Sequence, residues 1–259
     1  MRYKNRAGTL IVKETGQDKF LRFLYGRRAG RLLLRLLITR PVTRICACAF
    51  RTRFSAFFIK GFVKKNSIDM SQYEERKYAS YNDFFTRRIR EGQRPAAHSP
   101  DVLISPCDGK ATAFKIDEAT RFTVKNTVYT VSSLLKNKEL AAQFHGGICV
   151  IIRLTVDDYH RYCYIDEGVK GENIYIPGVF HTVNPAAAEH APIYQENCRE
   201  YTVIDTIRFG RMIHLEVGAL LVGKIVNYHG AAYQTHRGEE KGRFGFGGST
   251  VILLFQKNK

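Results

Sequence analysis

Residues 236–255 read HRGEEKGRFGFGGSTVILLF, so that Gly245, Gly247 and Gly248 precede Ser249 and Thr250 and an apolar run follows. Three chemistries suit such a stretch. A phosphate-cradling loop is the poorest of them, because no lysine follows the glycines and no helical pattern comes after. A tight turn into a strand is the plainest. The third is self-attack: Gly248 has no side chain to shield its carbonyl, and the Ser249 hydroxyl stands next to it in the chain. A hydroxyl nucleophile needs a base, and a histidine oriented by a carboxylate is the usual solution. His160, beside Asp157 and Asp158, and Asp108, in Pro106-Cys107-Asp108-Gly109, supply those types. Each has a structural reading too, His160 as a satisfied core histidine and Asp108 as a turn residue ahead of glycine. The six cysteines, Cys46, Cys48, Cys107, Cys149, Cys163 and Cys198, form no CxxC pair and no zinc spacing. Reduced thiols and no metal site are expected.

The elements that must carry these groups fall into two textures. Residues 1–65 hold 17 of the 41 Lys+Arg and two of the 24 Asp+Glu, so the formal charge of +17 lies almost wholly on this basic arm. Residues 18–65 read as helices, with Arg27, Arg31 and Arg35 on one stripe, Leu33, Leu36 and Leu37 on another, and breaks near Gly26 and Pro41. Phe50, Phe54, Phe57, Phe58 and Phe62 are spaced as one helical face, with basic residues off it. That is the pattern of a helix lying in an anionic membrane interface. The rival readings are an ordinary core stripe and an RNA-binding arm. No apolar window is long enough to span a bilayer, and the N-terminus lacks the apolar stretch of a secretory signal. Residues 66–95 read as a helical junction. Beyond it, short β-branched and aromatic runs at 109–116, 121–124, 147–155, 203–208, 212–217, 220–226 and 249–255 predict a mainly antiparallel β core over 96–259. Short helical pieces are expected at 132–135 and 186–190. The fold class is therefore α+β, amphipathic N-terminal helices followed by the β core.

Further segments sharpen the third chemistry. Asn82-Asp83-Phe84-Phe85-Thr86-Arg87-Arg88 with Arg94-Pro95, Ser105-Pro106-Cys107-Asp108-Gly109-Lys110, Asp158-Tyr159-His160-Arg161, Pro177-Gly178 with Val183-Asn184-Pro185, Asn197-Cys198-Arg199, Val217-Gly218-Ala219 with Val222-Gly223, and Gly247-Gly248-Ser249-Thr250 follow one another along the chain. In that order they resemble the phosphatidylserine decarboxylases, pyruvoyl-dependent enzymes made as self-cleaving proenzymes. The resemblance implies that Ser249 attacks Gly248 and that the chain breaks between them. Ser249 then becomes a pyruvoyl group on a fragment of residues 249–259, and residues 1–248 form the large fragment. It further implies that this group, with no metal or diffusible cofactor, acts as the electron sink while phosphatidylserine loses carbon dioxide and becomes phosphatidylethanolamine. Asp108 and His160 match the acidic residue and the histidine of the family's motifs.

The sequence departs from the family pattern at one place. Many members carry a second histidine three residues after the first, and Cys163 stands there. Either His160 serves alone or another histidine fills the gap, and His181 is the candidate; Cys163 itself reads as a nucleophile or as an inert thiol, and nothing near it in the sequence favours a lowered pKa. Arg87, Asn197 and Arg199 read equally well as headgroup contacts and as structural residues. The expected partners are phosphatidylserine, an anionic membrane surface and the two fragments of one chain, with a homodimer implied by the resemblance alone and no nucleic acid. The expected location is peripheral, on the cytoplasmic face of the cell membrane. The rival from another class is a membrane-binding homologue that has lost catalysis.

Overall fold

The chain begins with a small hairpin and then a run of helices, and only later becomes a sheet protein. A computed structural model describes residues 2–5, 7–12, 16–124, 127–184, 187, 192–220, 224–246 and 249–258. Strands β1 (Arg2–Lys4) and β2 (Leu10–Val12) pair antiparallel and precede α1 (Gly16–Gly26), α2 (Arg28–Leu37) and α3 (Arg40–Arg51). Pro41 lies in the first turn of α3, where its missing N–H costs nothing, so it begins a helix rather than only ending one. Leu21, Leu24 and Tyr25 of α1 and Leu34 of α2 enter the same buried cluster as the sheet, and Leu37 and Ile38 pack against it. The α2 face turned to the core is thus centred on Leu34, while Leu33 and Leu36 of the expected stripe are exposed beside the arginines.

The phenylalanine series does not lie on one helix. Thr52 is extended, and its hydroxyl donates to the Ala49 carbonyl at 2.7 Å, which ends α3. A 3-10 turn (Arg53–Phe57) and α4 (Phe58–Asn66) follow. Phe50 and Phe62 therefore face inward against Tyr81, at ring-centroid distances of 5.4 Å each, whereas Phe54 and Phe57 are 88% and 86% exposed. Of residues 66–95, only a 3-10 turn (Met70–Gln72) and α5 (Tyr81–Phe85) are helical. Ser80 caps α5 by accepting from the Asp83 amide at 3.1 Å.

The body continues with β3 (Lys110–Lys115), β4 (Arg121–Val124), β5 (Thr127–Thr130), α6 (Val131–Leu135), α7 (Lys138–Ala142), β6 (Ile148–Leu154), β7 (Arg161–Cys163) and β8 (Gly168–Ile176). After α8 (Ile193–Glu196) come β9 (Arg199–Thr206), β10 (Gly210–Val217), β11 (Ile225–Asn227), β12 (Tyr233–Thr235), β13 (Glu240–Phe244) and β14 (Ser249–Phe255). Seven strands make one antiparallel sheet in the order β12-β8-β9-β10-β14-β6-β3, and β11-β13-β7 make a second. The α+β reading and the antiparallel core hold. β14 is apolar from Val251 to Phe255 because it lies between β10 and β6 with both faces covered, and Val251, Ile252, Leu253 and Leu254 are each buried. The run expected at 220–226 is a strand only from Ile225, and residues 221–223 lie outside the described residues. The helical piece expected at 186–190 also falls outside them, except for residue 187, which is in a turn.

The two sheets are joined by a buried polar network. Lys241 of β13 donates to Glu216 Oε1 of β10 and to Asn227 Oδ1 of β11, both at 2.6 Å. His214 Nδ1 meets the same Glu216 oxygen at 2.7 Å, and Asn227 also donates to Glu200 Oε1 at 2.7 Å. Burial alone would raise the Glu216 pKa, but the neighbouring Lys241 and His214 bring it down to about 2.

Candidate active site

The register of the large sheet gathers the motif segments at one end. Ile176, Arg199, Val217, Thr250, Arg153 and Lys110 stand in a single row across β8, β9, β10, β14, β6 and β3. Just beyond that row lie Pro177-Gly178, Asn197-Cys198, Gly218, Ser249, the turn that carries Asp158 to His160, and Asp108-Gly109. Two glycines make the crowding feasible. A Cβ on Gly109, whose φ is +146°, would stand 2.9 Å from the Arg153 carbonyl oxygen, and one on Gly178 would stand 2.2 Å from that of Glu196.

His160 is fully buried under this rim. Its ring lies against that of Phe85, with centroids 3.9 Å apart. Nδ1 meets the Asp158 carbonyl oxygen at 2.9 Å. A carbonyl only accepts, so Nδ1 carries the proton and Nε2 the lone pair. The Asp158 side chain turns the other way, accepting from the Thr155 amide at 2.6 Å and its hydroxyl at 2.9 Å, with Lys110 Nζ at 4.0 Å. Burial raises the Asp158 pKa, opposed by the Thr155 amide and Lys110. The His160 carbonyl accepts from the Phe244 amide at 3.0 Å, which ties the last residue of β13 to the histidine's own main chain. Ser249 opens β14 opposite Leu154, the last residue of β6. Gly248 lies outside the described residues.

Asp108 and His181 are engaged elsewhere. Both Asp108 oxygens are taken by Arg94, Nε to Oδ1 at 3.1 Å and NH2 to Oδ2 at 3.0 Å, and this contact raises the Arg94 pKa. The group orienting His160 is therefore a main-chain carbonyl, and Asp108 forms a bidentate ion pair. His181 is buried against α1: Nδ1 meets the Tyr25 hydroxyl at 3.0 Å and Nε2 meets Glu196 Oε2 at 3.0 Å. Burial lowers its pKa, with Glu196 opposing. Its two ring nitrogens link the helical arm to the body. Cys163 is the last residue of β7, beside residues 105–107, its amide donating to the Pro106 carbonyl at 2.8 Å. Burial pushes its thiol up to about 12, and all six cysteines are free, so Cys163 is an inert thiol here.

The family profile for phosphatidylserine decarboxylase matches residues 81–259. The chain belongs to the phosphatidylserine decarboxylase family. It is 45% identical to the phosphatidylserine decarboxylase proenzyme 2 of Clostridium acetobutylicum over 238 residues, 92% of this chain and 81% of that protein. It is 35% identical to the proenzymes of Clostridium novyi, over 96% of this chain and 86% of that protein, and of Clostridium botulinum strain Langeland, over 100% and 90%.

Within this decarboxylase-family chain the ambiguous polar residues resolve as framework. Arg87 is wholly buried, with NH2 donating to the Asp157 carbonyl at 3.0 Å and the Tyr73 hydroxyl at 3.2 Å. Arg199 donates to the Leu134, Gln195, Asn197 and Ser133 carbonyls, and burial lowers its pKa to about 10. Asn197 bridges the His181 main chain and the Gly218 carbonyl. None of the three is placed to meet a headgroup. Residues that the motifs contained but that received no role are Lys110, Asp158 and Arg94. Their proximity to Asp108 and His160 in the motifs was the available signal. Among the described residues, no group of three or more His, Cys, Asp or Glu side chains is arranged to hold a metal.

Proposed function

We propose that this chain cuts itself between Gly248 and Ser249 and then decarboxylates phosphatidylserine to phosphatidylethanolamine. The observation that carries the reading is that the chain entering Ser249 is bound to the main chain of His160, while Ser249 itself opens an interior strand of the sheet, between β10 and β6. His160 Nε2, with Nδ1 satisfied by the Asp158 carbonyl, is the nitrogen suited to accept the serine proton. Attack of Ser249 Oγ on the Gly248 carbonyl moves the acyl group from nitrogen to oxygen. Loss of the Ser249 Cα proton then expels the Gly248 carboxylate. Water adds, ammonia leaves, and residue 249 is left as a pyruvoyl group.

The chain suits such a group. The strand behind residue 249 is buried and hydrogen-bonded on both sides, so an eleven-residue fragment would keep its place after the cut. When present, the group supplies an electron-withdrawing carbonyl for the amine of the substrate. The protein's part is to exclude water and hold protons: His160 is buried at the rim, and Asp158, partly buried beside it, is fixed by the Thr155 amide and hydroxyl.

The arm supports docking on an anionic membrane. Leu32, Leu33, Leu36, Ile45, Phe54, Phe57 and Phe58 are exposed on helices and turns that carry most of the arm's basic residues. No helix among the described residues is long and apolar enough to cross a bilayer. Such a surface supports peripheral attachment to the cytoplasmic face of the cell membrane, where anionic lipid is presented. Replacing Phe54, Phe57 and Phe58 together by serine is expected to reduce flotation with anionic liposomes several-fold without loss of fold, since all three are exposed; unchanged recovery rejects the docking role. The catalytic reading is tested with Ser249→Ala, which is expected to stay at full mass and release no carbon dioxide from phosphatidylserine. Cleavage or turnover in that variant overturns it.

A further inference from the structure

We propose that α5 positions the scissile segment for self-cleavage, with Asn82 and Phe85 as positioning residues; the proposal rests on the Gly248-Ser249 cut proposed above. Three successive amides approach the cut, and each is fixed by a different part of the molecule. Phe244 N donates to the His160 carbonyl at 3.0 Å, Gly245 N to the Lys224 carbonyl at 2.8 Å, and Phe246 N to Asn82 Oδ1 at 3.2 Å. The third is the only side-chain anchor of the set. Ser249 is fixed in turn by its place in the sheet.

The Phe246 ring is held as well as its amide. Its centroid lies 4.0 Å from Phe50 of α3, 5.1 Å from Tyr81 and 5.3 Å from Phe85. Phe85 also lies against His160 at 3.9 Å. Asn82 and Phe85 are three apart on α5, so one helical turn holds the segment's amide and, through one buried ring, both the segment and the base. Attack on a carbonyl within the chain depends on the approach of the two atoms, and misplacement by about 1 Å can cost on the order of 100-fold. The arm takes part, because Phe50 closes the aromatic seat and Ser55 Oγ accepts from the Tyr81 amide at 2.9 Å.

The test is the half-life of the intact full-length chain, followed by mass spectrometry from synthesis onward. Asn82→Ala, which removes the acceptor, is expected to lengthen it tenfold or more. Asn82→Asp, which restores an acceptor oxygen at the same reach, is expected to recover most of the rate. Phe50→Ala is expected to slow cleavage, and Phe50→Tyr to restore it. Melting temperatures recorded on the same samples separate positioning from folding. Cleavage of Asn82→Ala at the unaltered rate overturns the proposal, as does failure of Asn82→Asp to recover more than Asn82→Ala, or a rate that follows melting temperature alone. An unaltered chain that never cleaves at 248–249 defeats the cleavage reading instead, so the two failures are distinguishable.

Discussion

The proton on His160 Nδ1 goes to a main-chain carbonyl, so no side-chain substitution removes the group that sets its tautomer. His160→Ala should therefore lower turnover by roughly 100-fold to 10,000-fold, the range of a lost general base. Asp108→Asn should act through Arg94, whose bidentate partner it weakens, and leave the His160 ring in place; carbon dioxide release and cleavage rates for the two variants separate these effects. A second consequence concerns acid. His181 and His214 both have pKa values lowered from 6.5, first by burial. The unfolded chain takes up protons near 6.5 that the folded chain refuses, so stability is present above that pH and is lost as pH falls below it. Melting temperature should drop between pH 7.5 and 5.5, and His181→Asn should flatten part of that drop; a parallel curve would show that His181 does not contribute. The type and order of the motif residues could be read in the chain, because Asp108, His160 and Ser249 sit in short, distinctive strings. Their partners could not, because Phe246 and Asn82 are 164 positions apart and Tyr25 and His181 are 156 apart. The histidine that seemed able to replace the missing one is instead a fastener for α1.

At the scale of elements, the strands most clearly written in the sequence are β4 and β14, which run as expected from 121 to 124 and from 249 to 255. Both are rich in β-branched or aromatic residues, and β14 is apolar from Val251 to Phe255. β8 went unread because GVKGENIYI carries two glycines, a lysine and a bulge between Lys170 and Asn173. Its Lys170 is buried, with Nζ donating to the carbonyls of Gly171, His229 and Gly230, and burial lowers its pKa to about 8. Local pattern cannot show that a charged residue will be satisfied by a distant loop. The phenylalanine spacing misled for a related reason, since a threonine and a serine whose hydroxyls reach main-chain carbonyls broke the helix that the spacing implied. The link between the two sheets gives a stability prediction. Lys241→Met leaves Glu216 charged, buried and short of its cation, and should cost about 3–5 kcal/mol, while adding Glu216→Leu should recover much of the loss. Denaturant midpoints of the single and double variants check this, and equal midpoints for the two would contradict it.

For the whole molecule, the helical arm is both surface and core. It presents exposed phenylalanines and leucines to the outside while Leu21, Leu24, Tyr25 and Leu34 complete the buried cluster. Removal of residues 1–65 should therefore destabilise the body as well as weaken docking, and point changes at exposed positions are the cleaner probe of lipid contact. The strand order has a consequence for the life of the mature protein. The proposed cut falls at the start of β14, the strand with four neighbours on one side of it and two on the other within the seven-stranded sheet. Its five apolar residues from Val251 to Phe255 contribute on the order of 10 kcal/mol of gross burial, so a short fragment released by that cut would stay in place under native conditions. Once unfolded, however, the two pieces diffuse apart, and regaining the sheet becomes a collision between separate chains rather than the closing of one. The Ser249→Ala chain should refold with a yield independent of dilution, whereas the mature enzyme's yield should fall as it is diluted. A chain cut as proposed would thus denature in one direction only in dilute solution, and would rely on the slowness of its unfolding rather than on the ability to fold again.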